Sequence, residues 1–143
     1  MEWDFPDSSR AISFVRQLLV VIVTTIGLTA CGYVRDHHID GPYRLVAIDS
    51  FDETDVCYEL PHDACIGRVP ATVYAVGFDT KYLVIARHPS GQHSTSQYYY
   101  LIRALDGPLI DPSVSVRGPF DAATFKDESQ RLGLPGFTYK LSD

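Results

Sequence analysis

Two cysteines and a histidine in the middle of the chain have the residue types of a zinc site. Cys57, His62 and Cys65 follow the pattern C-x4-H-x2-C, and thiolate and imidazole are common zinc ligands. A structural zinc site uses four protein ligands, however, and this segment offers three. The fourth would have to come from elsewhere in the chain, so we predict neither a metal site nor any other cofactor.

A pair of adjacent histidines is a second candidate. His37 and His38 lie between Asp36 and Asp40, and imidazole with carboxylate suits a transition metal. Adjacent side chains point in different directions, and a polar segment is a poor frame for coordination. The pattern favours a solvated spacer, and metal binding through His37, His38 or His62 remains an alternative.

Acidic residues crowd one short segment, which contains Asp49, Asp52, Glu53 and Asp55. Calcium loops alternate their acidic ligands and place a glycine at the turn. This segment has neither feature, so it is predicted to be a solvated turn.

Motifs for catalysis are absent from the sequence. It contains no G-x-S-x-G, no glycine-rich phosphate loop and no H-E-x-x-H. His62, Asp63 and Cys65 have the residue types of a cysteine enzyme, but a nucleophilic thiol must be reduced. We therefore predict that the protein is not an enzyme and has no catalytic residue.

The third cysteine, Cys31, ends an uncharged apolar run. Residues 18–30 carry no charge, and Arg10 and Arg16 precede them. Thirteen residues are too few for a membrane span, which needs about 20, and suit a signal-peptide core. Leu28-Thr29-Ala30-Cys31 is a branched apolar residue, two small residues and a cysteine. The segment resembles the signal sequence and lipobox of bacterial lipoproteins.

This resemblance implies a cellular location. In bacterial lipoproteins a lipid such as palmitate is attached to the cysteine and the chain is cut just before it. Residues 1–30 would be a removed signal peptide, and Cys31 would anchor the protein to the membrane of the bacterial cell envelope. Gly32, rather than aspartate, is compatible with an outer-membrane location facing the periplasm in a Gram-negative host.

The composition of the remaining chain limits its partners. Removal of residues 1–30 leaves 113 residues, enough for one domain. Ten basic and fifteen acidic residues remain, a net charge of −5. Nucleic-acid recognition requires a basic face, so we predict no nucleic-acid partner. The membrane contact would depend on the lipid alone.

The envelope location also bears on Cys57 and Cys65. With Cys31 modified, these two form an even pair in an oxidising compartment, where disulfides persist. Pro61 lies between them, where the chain can reverse direction. We predict a Cys57–Cys65 disulfide, with two unpaired thiols as the alternative.

The mature chain reads as a short polar tether followed by one domain. Residues 31–42 are polar and predicted to be the tether, and residues 43–143 to be a single globular domain. Apolar and β-branched runs indicate strands near 43–48, 56–60, 70–78, 81–88 and 97–104, with a possible edge strand at 114–116. The runs on either side of Asp79-Thr80 are predicted to pair as a hairpin.

A helix is predicted near the C-terminus. Asp121 is a good N-cap, and Phe120 and Phe125 have the spacing of a hydrophobic staple. Gly133 stands where a left-handed C-cap belongs. Strands followed by one helix indicate an α+β fold: a small antiparallel sheet, meander or sandwich-like, with the helix packed on it.

Three consecutive tyrosines lie in the last long strand. Tyr99 must face away from Tyr98 and Tyr100, because strand side chains alternate. One face would pack in the core, and the other could present tyrosine to a partner, since tyrosine is enriched in interfaces. Tyr98, Tyr99 and Tyr100 are therefore candidates for a binding surface.

The layout also resembles a family of uncharacterised small bacterial lipoproteins. The matching segments are Gly41-Pro42-Tyr43, Tyr98 to Ile102, and Gly118-Pro119-Phe120 through Phe125 to Leu132-Gly133. The resemblance implies a cellular location and a fold, not an activity. We expect a non-enzymatic lipid-anchored protein with a binding or structural role and a possible envelope protein partner. A periplasmic inhibitor or toxin-immunity lipoprotein and a metal-binding envelope lipoprotein are the alternatives.

Overall fold

The computed structural model describes residues 32–141, which form two antiparallel sheets and one long helix. The predicted signal peptide and Cys31 lie outside these residues. The α+β class predicted from the sequence is confirmed.

Sheet A is a four-stranded meander in which each strand pairs with the next along the chain. Its strands are β1 (Arg35–Asp40), β2 (Tyr43–Ala47), β3 (Asp55–Glu59) and β4 (Cys65–Val69). A short 3-10 turn, Phe51–Glu53, connects β2 to β3.

Sheet B has five strands in the order β8-β7-β6-β5-β9. They are β5 (Val73–Phe78), β6 (Tyr82–Arg87), β7 (Gln97–Ile102), β8 (Val116–Phe120) and β9 (Tyr139–Lys140). A 3-10 turn at Arg103–Leu105 and a one-turn helix α1 (Pro112–Ser115) connect β7 to β8, and helix α2 (Ala122–Leu132) follows β8.

The prediction of a polar tether over residues 31–42 is wrong for half of that segment. Arg35–Asp40 forms β1 and pairs with β2, so the domain begins before Tyr43. Five of its six side chains are polar, because β1 is an edge strand of sheet A and half of its residues are exposed, while Ile39 packs against the main core. Its pairing depends on backbone hydrogen bonds to β2, which composition does not reveal.

The predicted hairpin is confirmed as β5 and β6. The backbone N–H groups of Lys81 and Tyr82 both donate to the Asp79 side chain, at 2.7 Å. These hydrogen bonds stabilise the turn, although Asp-Thr is not a sequence typical of two-residue hairpins.

The main core lies between the two sheets. Both sheets contribute side chains that are almost fully buried: Tyr43, Leu45, Val56 and Val69 from sheet A, and Val73, Val76, Leu83, Ile85, Tyr99 and Leu101 from sheet B. Each large apolar side chain buried in this way stabilises the fold by about 1.5–3 kcal/mol. The molecule is thus sandwich-like, one of the two arrangements expected.

Helix α2 covers the other face of sheet B. Phe125 packs with Val84 and Tyr100 in a second, smaller core. The Asp121 side chain accepts a hydrogen bond from the Thr124 N–H at 2.7 Å, and Gly133 ends the helix with φ 66°. The predicted N-cap and C-cap are confirmed.

The segment before α2 differs from the prediction. The edge strand expected at 114–116 is instead α1 followed by β8, which begins at Val116. Pro112 occupies the first turn of α1, where its missing N–H costs nothing, and Asp111 caps that turn. Local turn chemistry therefore overrides the β propensity of Val114.

Candidate functional site

A cleft opens where the first strand of sheet A meets the edge of sheet B. Its volume is about 560 Å³. We call it the edge cleft, and its lining residues are Arg35, Phe51, Asp52, Thr72, Val73, Tyr74, His88, His93 and Leu141. A neighbouring depression of about 550 Å³ shares Asp52, Thr72 and His93 with it and extends toward Gly91.

Arg35 is the only permanent cation among the residues that line the edge cleft. It is the first residue of β1, and its guanidinium lies 5.0 Å from the centroid of the Phe51 ring. Within residues 32–141 it makes no ion pair or side-chain hydrogen bond, and its Nε is buried without an acceptor. A buried donor left unpaired costs about 1–3 kcal/mol.

Two stacked rings also line the cleft. The His88 ring lies 4.3 Å from the Tyr74 ring at an interplanar angle of 18°, and His93 lies 5.9 Å from His88. His88 Nδ1 is 2.8 Å from the Thr95 carbonyl oxygen. Because a carbonyl only accepts, Nδ1 carries the hydrogen and Nε2 is the ring nitrogen left for a ligand.

Hydrogen bonds join the segments that line the cleft. The Thr72 hydroxyl donates to the Asp52 carbonyl oxygen, and the Tyr74 hydroxyl donates to Ser96 at 2.9 Å. These bonds connect the 3-10 turn, the start of β5 and the His88–Ser96 loop. The cleft therefore has a defined shape and offers one guanidinium, one carboxylate and several rings to a ligand.

Cys57 and Cys65 lie at disulfide-bonding distance, as predicted. They stand on neighbouring strands β3 and β4 with their Cα atoms 5.7 Å apart. His62 is exposed at the turn between these strands and has a positive φ of 65°. The cysteine pair belongs to sheet A and lies apart from the residues that line the edge cleft.

The three tyrosines all have packing partners. Tyr99 is buried between the sheets, and its hydroxyl donates to Gln97 at 3.2 Å. Tyr98 stacks on Phe125, and Tyr100 packs in the small core beneath α2. The strand face that was expected to be open to a partner is covered by the helix. The suggested binding role of these tyrosines therefore gains no support.

The histidine pair has the opposed side chains expected of neighbours in a strand. His37 stacks on Tyr139 at 4.4 Å, and His38 lies 2.8 Å from the Gly41 carbonyl oxygen through Nε2. Among residues 32–141, no group of three or more histidine, cysteine or acidic side chains is placed to hold a metal ion. The metal-binding alternative gains no site from this part of the chain.

The acidic turn contains one unusual carboxyl group. Burial raises the pKa of Asp55 from its ordinary 3.8 to about 6, and its Oδ1 is buried without a hydrogen-bond donor. Asp49 and Glu53 lie beside the same small cavity and are exposed. The folded protein therefore holds a proton on Asp55 to a higher pH than the unfolded chain does.

Asp55 makes stability depend on pH. Because the folded pKa is raised, its contribution is fully present below about pH 4 and is lost as the pH rises through about 6. We expect Asp55→Asn to be more stable than the native protein by about 1 kcal/mol at pH 7.5, after allowance for partial solvent screening, and equal to it near pH 4.

Urea denaturation at both pH values would measure this difference. Asp49→Asn is the matched control, because it removes an exposed charge from the same turn. An equal gain in Asp49→Asn, or a gain in Asp55→Asn that is unchanged at pH 4, would contradict the assignment.

A buried ion pair that the sequence did not predict lies away from the edge cleft. The side chains of Arg68 and Asp106 are both 0% exposed, and Arg68 Nε donates to the carboxylate at 2.9 Å. Asp106 also accepts from the hydroxyls of Tyr43 and Ser115, each at 3.0 Å, and Arg68 Nη2 donates to the Gly107 carbonyl oxygen at 2.7 Å. The Asp106 carboxylate and the Arg68 guanidinium therefore both have hydrogen-bond partners in addition to each other.

This pair joins the two layers. Arg68 belongs to β4 of sheet A, whereas Asp106 directly follows the 3-10 turn Arg103–Leu105 at the end of β7 in sheet B. Burial, together with the Asp106 carboxylate, raises the pKa of Tyr43 and keeps its phenol a donor. The arrangement explains why an arginine stands in an otherwise apolar strand, and it is structural rather than part of the cleft.

Taken together, the described residues define a small sandwich-like α+β protein with an open, amphipathic edge cleft. Comparison with protein-family profiles, curated proteins and solved structures gave no match. No helix within residues 32–141 has the length and apolar character needed to cross a membrane.

Proposed function

We propose that this protein is a non-enzymatic, lipid-anchored component of the bacterial cell envelope that binds another envelope component. The observation that carries the proposal is the segment Leu28-Thr29-Ala30-Cys31 at the end of an uncharged run. The cysteine pair at disulfide-bonding distance supports it, since such pairs persist in oxidising compartments.

The position of β1 adds a geometric consequence. Residues 32–34 alone separate Cys31 from Arg35, the first residue of β1. A chain extends by at most about 3.3–3.6 Å per residue, so Cys31 and Arg35 can be at most about 14 Å apart. A lipid on Cys31 would therefore hold the edge cleft close to the membrane surface, within reach of a membrane-proximal partner.

We expect the native protein to sediment with membranes and Cys31→Ala to be recovered mainly in the soluble fraction. Two acyl chains bury enough methylene groups, at about 0.8 kcal/mol each, to make anchoring stable. The full-length protein with a tag after Asp143 would be isolated from native envelope beside Cys31→Ala. Intact mass spectrometry would identify the lipid, and co-eluting proteins would identify a partner.

The two measurements test separate parts of the proposal. An unmodified Cys31 would contradict the envelope anchor. A lipidated protein that brings no protein partner would leave the anchor in place and exclude a stable protein complex, which directs attention to a small ligand in the edge cleft.

A further inference from the structure

Arg35 indicates what the edge cleft binds. We propose that the cleft takes a carboxylate, paired with the Arg35 guanidinium, and that the apolar body of the same ligand packs against Tyr74 and His88. This inference rests on the proposed role of the protein as a binding component of the envelope.

The Arg35 guanidinium has no partner among the described protein groups and is therefore available to a ligand. The Phe51 ring orients it from one side, and the described part of the chain supplies no carboxylate to it. Its buried Nε lacks an acceptor, and buried polar groups are almost always paired in native proteins. A ligand oxygen that reached Nε would satisfy that donor.

The charge around Arg35 favours a carboxylate over a phosphate. A guanidinium fork matches either group with two parallel hydrogen bonds. A phosphate monoester carries a charge of about −1.5 to −2 at neutral pH, however, whereas the lining of the cleft holds one guanidinium and also the Asp52 carboxylate, which does not pair with it. A singly charged group is matched by one arginine and meets less repulsion.

The remaining lining favours a compact, flat ligand body. Tyr74 and His88 present stacked rings, and Phe51 is 61% exposed beside them. A volume of about 560 Å³ lies within the range of small-molecule pockets, about 300–1,000 Å³. His88 Nε2, which the Thr95 carbonyl leaves unused, adds a second polar atom to the lining. Both a peptide carboxyl terminus and an acidic sugar have this chemistry.

Ligand-observed saturation-transfer NMR on the full-length protein in detergent would test the inference. The probes are benzoate, its neutral counterpart benzamide and phenyl phosphate. Hippurate and glucuronate represent the peptide and sugar sources of a carboxylate. We expect benzoate to bind more tightly than benzamide and phenyl phosphate, and Arg35→Gln to weaken benzoate binding by about tenfold or more.

Arg131→Gln is the matched control, because it removes the same charge from α2, away from the cleft. It should leave benzoate binding unchanged. If Arg35→Gln does not fold, as judged by circular dichroism, Arg35→Lys replaces it. This variant keeps the charge, loses the planar fork, and should weaken binding by about threefold or more.

The outcomes separate this inference from the proposed function. Binding that is lost in Arg35→Gln supports the carboxylate site even if Cys31 proves unmodified, in which case only the envelope anchor fails. Failure of all three carboxylates to bind, tighter binding of phenyl phosphate, or equal binding by Arg35→Gln would overturn the inference and leave the anchor untouched. Between hippurate and glucuronate, the tighter probe identifies the source of the carboxylate.

Discussion

Asp106→Asn should lower the free energy of unfolding by about 3–5 kcal/mol, since it leaves the buried Arg68 guanidinium without its counter-charge. Both side chains are 0% exposed, so water cannot replace the lost partner without opening the sandwich. The amide also offers a weaker acceptor to the Tyr43 and Ser115 hydroxyls. Urea denaturation followed by far-UV circular dichroism would measure the loss.

Asp36→Asn provides the matched control. Asp36 pairs with Arg44 on the exposed face of sheet A, and Arg44 keeps Glu59 as a second partner. Exposed pairs contribute about 0–1 kcal/mol, so this isosteric change should have little effect. A loss in Asp106→Asn no larger than the loss in Asp36→Asn would show that the buried pair does not hold the layers together.

We expect Gly77→Ala to destabilise the protein by about 3 kcal/mol or more. A Cβ at this position of β5 would collide with the Gly136 backbone carbonyl and crowd Phe137. Backbone atoms cannot turn aside as a flexible side chain can. The segment that carries Phe137 onto sheet B and leads to β9 would have to move away, which exposes part of the small core beneath α2.

The same denaturation experiment, with Gly67→Ala as control, would test this expectation. Gly67 lies in β4 of the other sheet, and a Cβ there would meet no atom within 4 Å. The control should be neutral or more stable by about 0.4–1 kcal/mol, because alanine restricts the unfolded chain. If the two alanine variants lost the same stability, the close approach at Gly77 would not be the cause.

The sequence predicted the parts of the fold that depend on local chemistry. Helix α2 was predicted with both of its caps, because the Asp121 side chain and the positive φ of Gly133 act within one turn. The β5–β6 hairpin was predicted because its strands are apolar and separated by a short turn. The Cys57–Cys65 pair was predicted because two cysteines remain once Cys31 is modified, and Pro61 between them lets the chain reverse direction.

The sequence was misleading where a long-range partner decides the structure. β1 is polar and resembles a spacer, yet β2 provides its backbone hydrogen bonds. Arg68 and Asp106 are 38 residues apart, and neither residue type alone signals a buried pair. An arginine inside the apolar strand β4 was the one local sign that a counter-charge had to lie nearby, since charges are rarely buried unpaired.

The edge cleft could not be derived from the sequence. Its walls come from β1, the Phe51–Glu53 turn, β5 and the loop after β6, which are far apart in the chain. The sequence by itself determined the α+β class, the capped helix and the hairpin, since each follows from residues within a few positions of one another; the envelope location at Cys31 is a proposal that rests on the sequence alone. Only the tertiary structure decided that Arg35 faces a cleft beside stacked rings and that Arg68 meets Asp106. Those contacts depend on how the two sheets pack, and packing depends on the shape of the whole core rather than on any single segment.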